Sequence, residues 1–405
     1  MRWLPLVALV ACTEPTGEAI TSRVEQLAWP IYVPRKLDVL FVVDNSPAMA
    51  AHDATWRDNQ RAMMDVLSTI EGGLPNIHIG VVTTDLGARG YDGVEGPDAA
   101  GCTASGDRGE LRTSANVQGR FIADSPLADG MRLRNFTGSL GDAFASIANV
   151  GTQGCAYVQP LEAMERALGA NVANAGFLRP DAHLLLVFAT PNDDCSFAHG
   201  GFAIDSAAIN AHECVTRDAD LVDVAHYEAF LRSLKADPSK IMVTGIMGPS
   251  EPYQLSDGPE GLQVAPSCTY GDASALPATR LKELLDRFPN RSTYSTICQR
   301  NWADALSVFA SVGHPPIANR CFESIPFDSE PDIEGLQAVC SVTHRHTDGG
   351  EDVLPRCGSG APPCWRIVTS PQRCATQPSL ELDVVFRDVP TDEGHSVIAQ
   401  CLVDP

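Results

Sequence analysis

Cysteine and aspartate are the residues whose number and spacing carry chemistry in this chain. The 405 residues include 13 cysteines. Beyond Cys12 an even set remains: Cys102, Cys155, Cys195, Cys214, Cys268, Cys298, Cys321, Cys340, Cys357, Cys364, Cys374 and Cys401. An even set spread along a chain reads as disulfides, and disulfides form in oxidising compartments. Zinc sites call for tight pairs such as C-x2-C, whereas the tightest spacing here is Cys357 to Cys364. An oxidised sulfur is also no nucleophile. The aspartates of interest sit where apolar runs end: Asp44 with Ser46, Asp85, and Asp193 with Asp194. Carboxylates and hydroxyls gathered at strand ends offer hard oxygen ligands to Mg2+ or Ca2+. Four carboxylates around one crevice repel each other without a cation. The competing reading is that they cap the helices that follow. His344-Arg345-His346 with Asp348 offers the residue types of a metal cluster, but it stands beside Gly349-Gly350, where exposed turn histidines are commoner. No P-loop, G-x-G-x-x-G or G-x-S-x-G motif is present.

The elements that must position these residues follow from hydrophobic period. The runs 37–43, 77–84, 183–189 and 241–246 are nearly unbroken and β-prone, as strands buried on both faces are. Between them apolar residues recur at helical spacing: Trp56, Met63, Leu67 and Ile70; Leu140, Phe144, Ile147 and Ala148; Leu161, Met164 and Leu168; Leu221, Val224, Leu231 and Leu234. Leu281, Leu284, Leu285 and Phe288 mark a further helix, and Trp302, Ala305, Leu306 and Phe309 the last. Alternation of this kind predicts a doubly wound α/β fold with a mostly parallel sheet. Ligands of such sheets bind outside the carboxyl ends of the strands, where the aspartates fall. The rhythm stops near 314. Residues 317–405 hold six cysteines, strand-like runs at 365–369, 380–386 and 396–402, and a hairpin turn at Thr347-Asp348-Gly349-Gly350. They predict a small, disulfide-rich β module. The expected pairs are Cys102–Cys155, Cys195–Cys214, Cys268–Cys298 and Cys364–Cys374, leaving Cys321–Cys340 and Cys357–Cys401.

The formal net charge is −22. A field of that sign repels a phosphate backbone, so nucleic acid is an unfavourable partner. It disfavours lying flat on anionic lipid for the same reason.

Two resemblances add to this reading. Leu9-Val10-Ala11-Cys12 resembles the lipobox of bacterial lipoproteins. That implies cleavage before Cys12, lipid on its thiol, a signal peptide at 1–11 and a polar tether at 12–35. Membrane contact would then be through lipid alone, and Thr13 after the cysteine fits outer-membrane sorting. Val43-Asp44-Asn45-Ser46-Pro47-Ala48-Met49, with Gly80-Val81-Val82 in the second strand, resembles the von Willebrand factor A domain over residues 36–314. The resemblance implies a metal-ion-dependent adhesion site beginning Asp-x-Ser-x-Ser. Asp44 and Ser46 fit its first two positions. Ala48, Gln159 and Pro191 stand where three further ligands would be, so the site is degenerate. Tight Mg2+ binding is not expected, and at most weak Ca2+ binding through Asp44 and Asp193, with Asp85 and Asp194 lining the crevice. The implied function is a surface-tethered lipoprotein of the cell envelope that docks a protein or extracellular matrix partner without catalysis. The alternative is a structural envelope lipoprotein with no crevice ligand.

Overall fold

A computed structural model of the chain describes residues 23–31, 36–68, 73–87, 102–103, 105–127, 131–197, 219, 221–258, 261–289, 291–303, 305–306, 320–333, 335–358, 362–370, 374, 378–387 and 394–404. The signal peptide 1–11, Cys12, residues 13–22 and 32–35 of the tether, Cys214, Phe309 and the boundary at 314–317 lie outside the described residues. The described residues divide into two compact units, one within 30–318 and 389–394, the other within 1–29, 319–388 and 395–405.

Strand β1 (Arg23–Pro30) opens the described chain. The larger unit then runs β2 (Lys36–Val43), α1 (Asp53–Ser68), β3 (Asn76–Thr83), β4 (Ile122–Pro126), β5 (Arg132–Arg134), α2 (Leu140–Ala148) and α3 (Pro160–Leu168). It continues through β6 (His183–Thr190), α4 (Val224–Ser233), β7 (Ile241–Met247), β8 (Leu255–Gly258), β9 (Gly261–Val264), β10 (Cys268–Tyr270), β11 (Ala273–Ala275), α5 (Thr279–Asp286) and β12 (Ser292–Thr296). Its main sheet has the order β12-β7-β6-β2-β3-β4-β5. The inner strands are apolar on both sides because helices cover both. Phe41, Trp56, Phe144 and Trp302 build the core on the face of α1 and α2. Leu40, Val42, Leu186 and Phe188 meet Tyr227, Leu231 and Leu281 on the other. Each such side chain contributes about 1.5–3 kcal/mol on burial.

The expected doubly wound, mostly parallel α/β class is nevertheless corrected. Strand residues outnumber helical ones among the described residues. Among the described residues the parallel strand pairs are β2–β3, β2–β6, β6–β7 and β7–β12, beside one isolated parallel bridge between Arg356 and Trp365. The pairs β3–β4, β4–β5, β8–β9, β10–β11 and three more in the smaller unit are antiparallel. The chain is a β-rich mixed fold with several antiparallel sheets and several disulfides. Long apolar runs announce only the buried parallel strands. Short antiparallel ribbons carry no such run, so the sequence pattern overweights the parallel layer. A von Willebrand factor A-like classification is therefore not retained.

The smaller unit adds β13 (Cys340–Arg345), β14 (Glu351–Val353), β15 (Cys364–Thr369), β16 (Leu380–Val385) and β17 (Ser396–Val403). One sheet has the order β1-β17-β13-β14, and β15 and β16 form a second. Residues 23–30, expected as tether, are thus a strand of this unit, with Leu27 and Trp29 buried. Strand β17 alternates inward and outward: Val397, Ala399, Cys401 and Val403 are buried. The turn at 347–350 joins β13 to β14, closed by the His346 amide donating to the Gly350 carbonyl at 2.7 Å.

Cys102 is bonded to Cys155 and Cys268 to Cys298, as spacing suggests. Cys195 is oxidised as well; its expected partner, Cys214, is outside the described residues. In the smaller unit the three expected pairs, Cys321–Cys340, Cys357–Cys401 and Cys364–Cys374, are corrected. The bonds are Cys321–Cys374, Cys340–Cys401 and Cys357–Cys364. Strand register decides this: Cys340 lies directly opposite Cys401 across the β13–β17 pair. Cys321 forms an isolated antiparallel bridge with Glu381 on β16.

Candidate functional site

Strands β2, β3 and β6 are parallel and in register, with Val43 beside both Thr83 and Ala189. Their carboxyl ends therefore bring Asp44, Thr84 and Thr190 together. All three are buried. The Asp44 amide donates to the Ala189 carbonyl at 2.9 Å and the Thr84 amide to the Val43 carbonyl at 3.2 Å. Asp44 Oδ1 accepts from the Ser46 amide at 2.7 Å. Its Oδ2 accepts from Thr190 Oγ1 at 2.8 Å and from Asn192 Nδ2 at 3.4 Å. Burial pushes the Asp44 carboxyl above its ordinary range, and hydrogen bonds from Ser46, Thr190 and Asn192 pull against that. Three buried oxygens beside it have no hydrogen-bond partner: Asn45 Oδ1, Ser46 Oγ and Thr84 Oγ1. Gly154 seals this end. Its amide donates to the Asn45 carbonyl at 2.7 Å. A Cβ there would lie 2.4 Å from the Asn45 side chain, which would have to shift to admit it.

The other aspartates are each occupied elsewhere. Asp85 accepts from the Gly87 amide at 2.8 Å and the Cys155 amide at 3.1 Å, tying it to the disulfide-bonded loop. Asp193 accepts from Thr279 Oγ1 at 2.7 Å and from the Arg280 and Leu281 amides at 2.9 and 3.2 Å. It caps α5. Asp194 accepts from the Leu161 amide at 3.0 Å and Ser196 Oγ at 2.6 Å, and so serves the start of α3. Burial raises the pKa of both Asp85 and Asp193, opposed by these same amide donors. Sequence spacing thus brings Asp44 and Ser46 into one turn, but not the four carboxylates to one point. Among the described residues they form no group of three able to share an ion.

The residues aligned with further ligands do not repair the set. Ala48 is exposed on the short helical turn Pro47–Ala51. Gln159 directs its amide to the Gly87 carbonyl at 3.4 Å, and the Pro191 carbonyl takes the Leu276 amide at 2.8 Å. The unpartnered oxygens are of the kind Mg2+ or Ca2+ accepts. The single carboxylate among them already takes three hydrogen bonds, so the set does not fit a tight Mg2+ site. Thr84, Thr190 and Asn192 were not singled out from sequence. The available signal is that Thr84 ends the run 77–84 and Thr190 directly follows the run 183–189.

A second feature is open. A cleft of about 610 Å3 is lined by Thr55, Asp58 and Asn59 of α1, Tyr270 of β10, and Arg300 and Asn301 after β12. Its walls are cross-linked. Cys268–Cys298 ties the two loops, and Asn59 holds the 300–302 backbone through its amide to the Arg300 carbonyl at 2.9 Å. The Trp302 amide returns to Asn59 Oδ1 at 2.9 Å. Tyr270 is 45% exposed.

No protein-family model matches the chain, and no curated protein matches it. Among solved structures it is similar to the pilus adhesin SpaC from Lactobacillus rhamnosus GG, in the open conformation, at 10% identity and TM-score 0.35, over 96% of this chain and 42% of that one. It is similar to the PilB minor pilin from Streptococcus sanguinis at 14% identity and TM-score 0.30, over 70% and 61%. It is also similar to proximal thread matrix protein 1 from the mussel byssus at 9% identity and TM-score 0.30 or less, over 76% and 50% in one crystal form with TM-score 0.29. The chain thus spans less than two thirds of the length of each. Scores of this size do not establish a shared fold.

Proposed function

We propose that this chain is an exported, surface-displayed binding protein that docks a protein or matrix partner through the open cleft, not through an ion at the strand ends. The carrying observation is the contrast between the two sites. The Asp44 oxygens are buried and sealed, while Tyr270 and Arg300 stand at an open cleft on disulfide-stapled backbone. Tyrosine and arginine are the side chains most often decisive at protein interfaces, and a stiff backbone lowers the ordering cost of docking. The disulfides support export. In this reading a lipid on Cys12 anchors the chain to the envelope, which mass spectrometry of the native protein tests.

The test uses the full chain, immobilised, against purified matrix proteins and isolated envelope components. A partner should stay bound in the presence of a chelator. Tyr270→Ala and Arg300→Ala should each weaken it about tenfold or more, the effect of losing a residue worth over ~1.4 kcal/mol. A partner indifferent to both substitutions would remove the cleft from the proposal. A second reading, a structural envelope protein with no crevice ligand, is favoured by the separate engagement of Asp85, Asp193 and Asp194. It predicts that no such partner is retained.

A further inference from the structure

His344 and His346 sit two residues apart at the end of β13, and two residues apart on a strand means one face. Val342 and His344 lie opposite Ala399 and Val397 of β17, on the inner side of the sheet. His395 immediately precedes β17 and arrives at the same edge. The adjoining Gly-Gly turn favours exposed turn histidines at 344 and 346 over a metal cluster. Only Asp348 behaves that way, accepting from the Gly350 amide within the turn at 2.9 Å. His344 is 6% exposed. His395 lies far away in sequence, which is why spacing alone hid the group.

The three imidazoles converge. One nitrogen of each lies within 4.8 Å of the others. His344 Nε2 and His395 Nδ1 are 2.9 Å apart. Two imidazole nitrogens so placed either share one proton or face one cation. His346 Nε2 is 2.8 Å from Asp352 Oδ2 on β14. A carboxylate on one ring nitrogen is the usual outer partner of a metal-bound histidine: it fixes the ring and makes it a better donor. The Phe386 ring stands edge-on to His344, with centroids 5.2 Å apart, and supplies an apolar wall. His346 and His395 are half-buried, so an ion is reached from solvent.

We propose that His344, His346 and His395 form a site for a divalent first-row transition metal, Zn2+ or Cu2+, at the β13–β17 edge of the smaller unit. Three neutral nitrogens select this class over Mg2+ and Ca2+, which prefer oxygen. Zn2+ takes such nitrogens at about 2.0–2.1 Å and leaves a fourth position for water. The ion would clip the turn after β13 to the start of β17. This site is independent of the cleft and of the oxygens around Asp44.

The experiment titrates metal-free full-length protein with Zn2+ by calorimetry and records the electron paramagnetic resonance spectrum of the Cu2+ form. The expected result is one Zn2+ per chain and Cu2+ coupled to three nitrogens. His346→Ala and His395→Ala are chosen because both rings are partly exposed; each should cut affinity about 100-fold or more, with one nitrogen coupling lost. Asp352→Asn should cost about 10–100-fold while retaining all three couplings. Circular dichroism of each variant separates ligand loss from unfolding. Absence of Zn2+ uptake, or uptake unchanged in both histidine variants, would overturn the proposal and leave the cluster a hydrogen-bonded stack.

Discussion

Asp44 shows how a single side chain can look like a metal ligand and act as a structural hub. Its two oxygens tie three segments: the turn after β2, Thr190 at the end of β6, and Asn192 beyond it. Asp44→Ala leaves the Ser46 amide and the Thr190 hydroxyl without this acceptor in a sealed site. The expected loss is about 2–3 kcal/mol in chemical denaturation. Calorimetry of the full chain with Mg2+ should show no micromolar binding; such affinity, abolished by Asp44→Ala, would show that the unpartnered oxygens of Asn45, Ser46 and Thr84 do recruit an ion. His183, which begins β6, gives a pH prediction. Burial, reinforced by the Lys240 charge, pushes its pKa down to about 3. An ordinary histidine titrates near 6.5, so below that value the unfolded chain binds a proton that the folded one refuses. The associated stability is full above about 6.5 and is lost as pH falls towards 3, on the order of 5 kcal/mol in all. His183→Gln should flatten the pH dependence of the denaturation midpoint across that window, and an unchanged slope would show that His183 is not its source.

At the scale of elements, Asp193 and Asp194 of the larger unit act on helix starts. Asp193 serves the first amides of α5. Asp193→Ala should therefore cost about 1–2 kcal/mol, the usual value of such a cap. Asp193→Asn should recover much of it, because the capping oxygen remains; a deficit equal to that of alanine would indicate that charge, not capping, is the contribution. The same elements show what the sequence could reveal. Strands β2, β3, β6 and β7 were legible because burial on both faces demands an unbroken apolar run. Strand β12, Ser-Thr-Tyr-Ser-Thr at the sheet edge, has no such demand and left no pattern. Strand β1 hid in a stretch that reads as polar tether. Asp44 and Ser46 could be located from their turn, whereas Thr84, Thr190 and Asn192 became partners only through the register of three parallel strands. Register likewise set Cys340 against Cys401, a relation that spacing along the chain does not encode.

The two units of the whole molecule are stabilised in different proportions by the same forces. The larger one has apolar clusters on both sides of a seven-stranded sheet. The smaller one relies on fewer buried side chains, among them Trp29, Phe322, Val342, Trp365 and Leu382, and contains Cys321–Cys374, Cys340–Cys401 and Cys357–Cys364. A small core covers little of the conformational entropy lost on folding, so cross-links carry more of the stability there. Reduction should therefore affect the units unequally. With a thiol reductant under native conditions, limited proteolysis is expected to cut first within 320–404 while a fragment spanning β2 to β12 persists. The Cys340→Ser, Cys401→Ser double variant should cost about 2–5 kcal/mol, and most of that should appear as faster hydrogen exchange in β13 and β17. Equal protection loss in β2 and β6 would mean that the chain unfolds as one cooperative body. Confinement of the loss to the smaller unit would show that the disulfides, more than the apolar core, hold that unit in its folded form, as expected of a protein folded in an oxidising compartment.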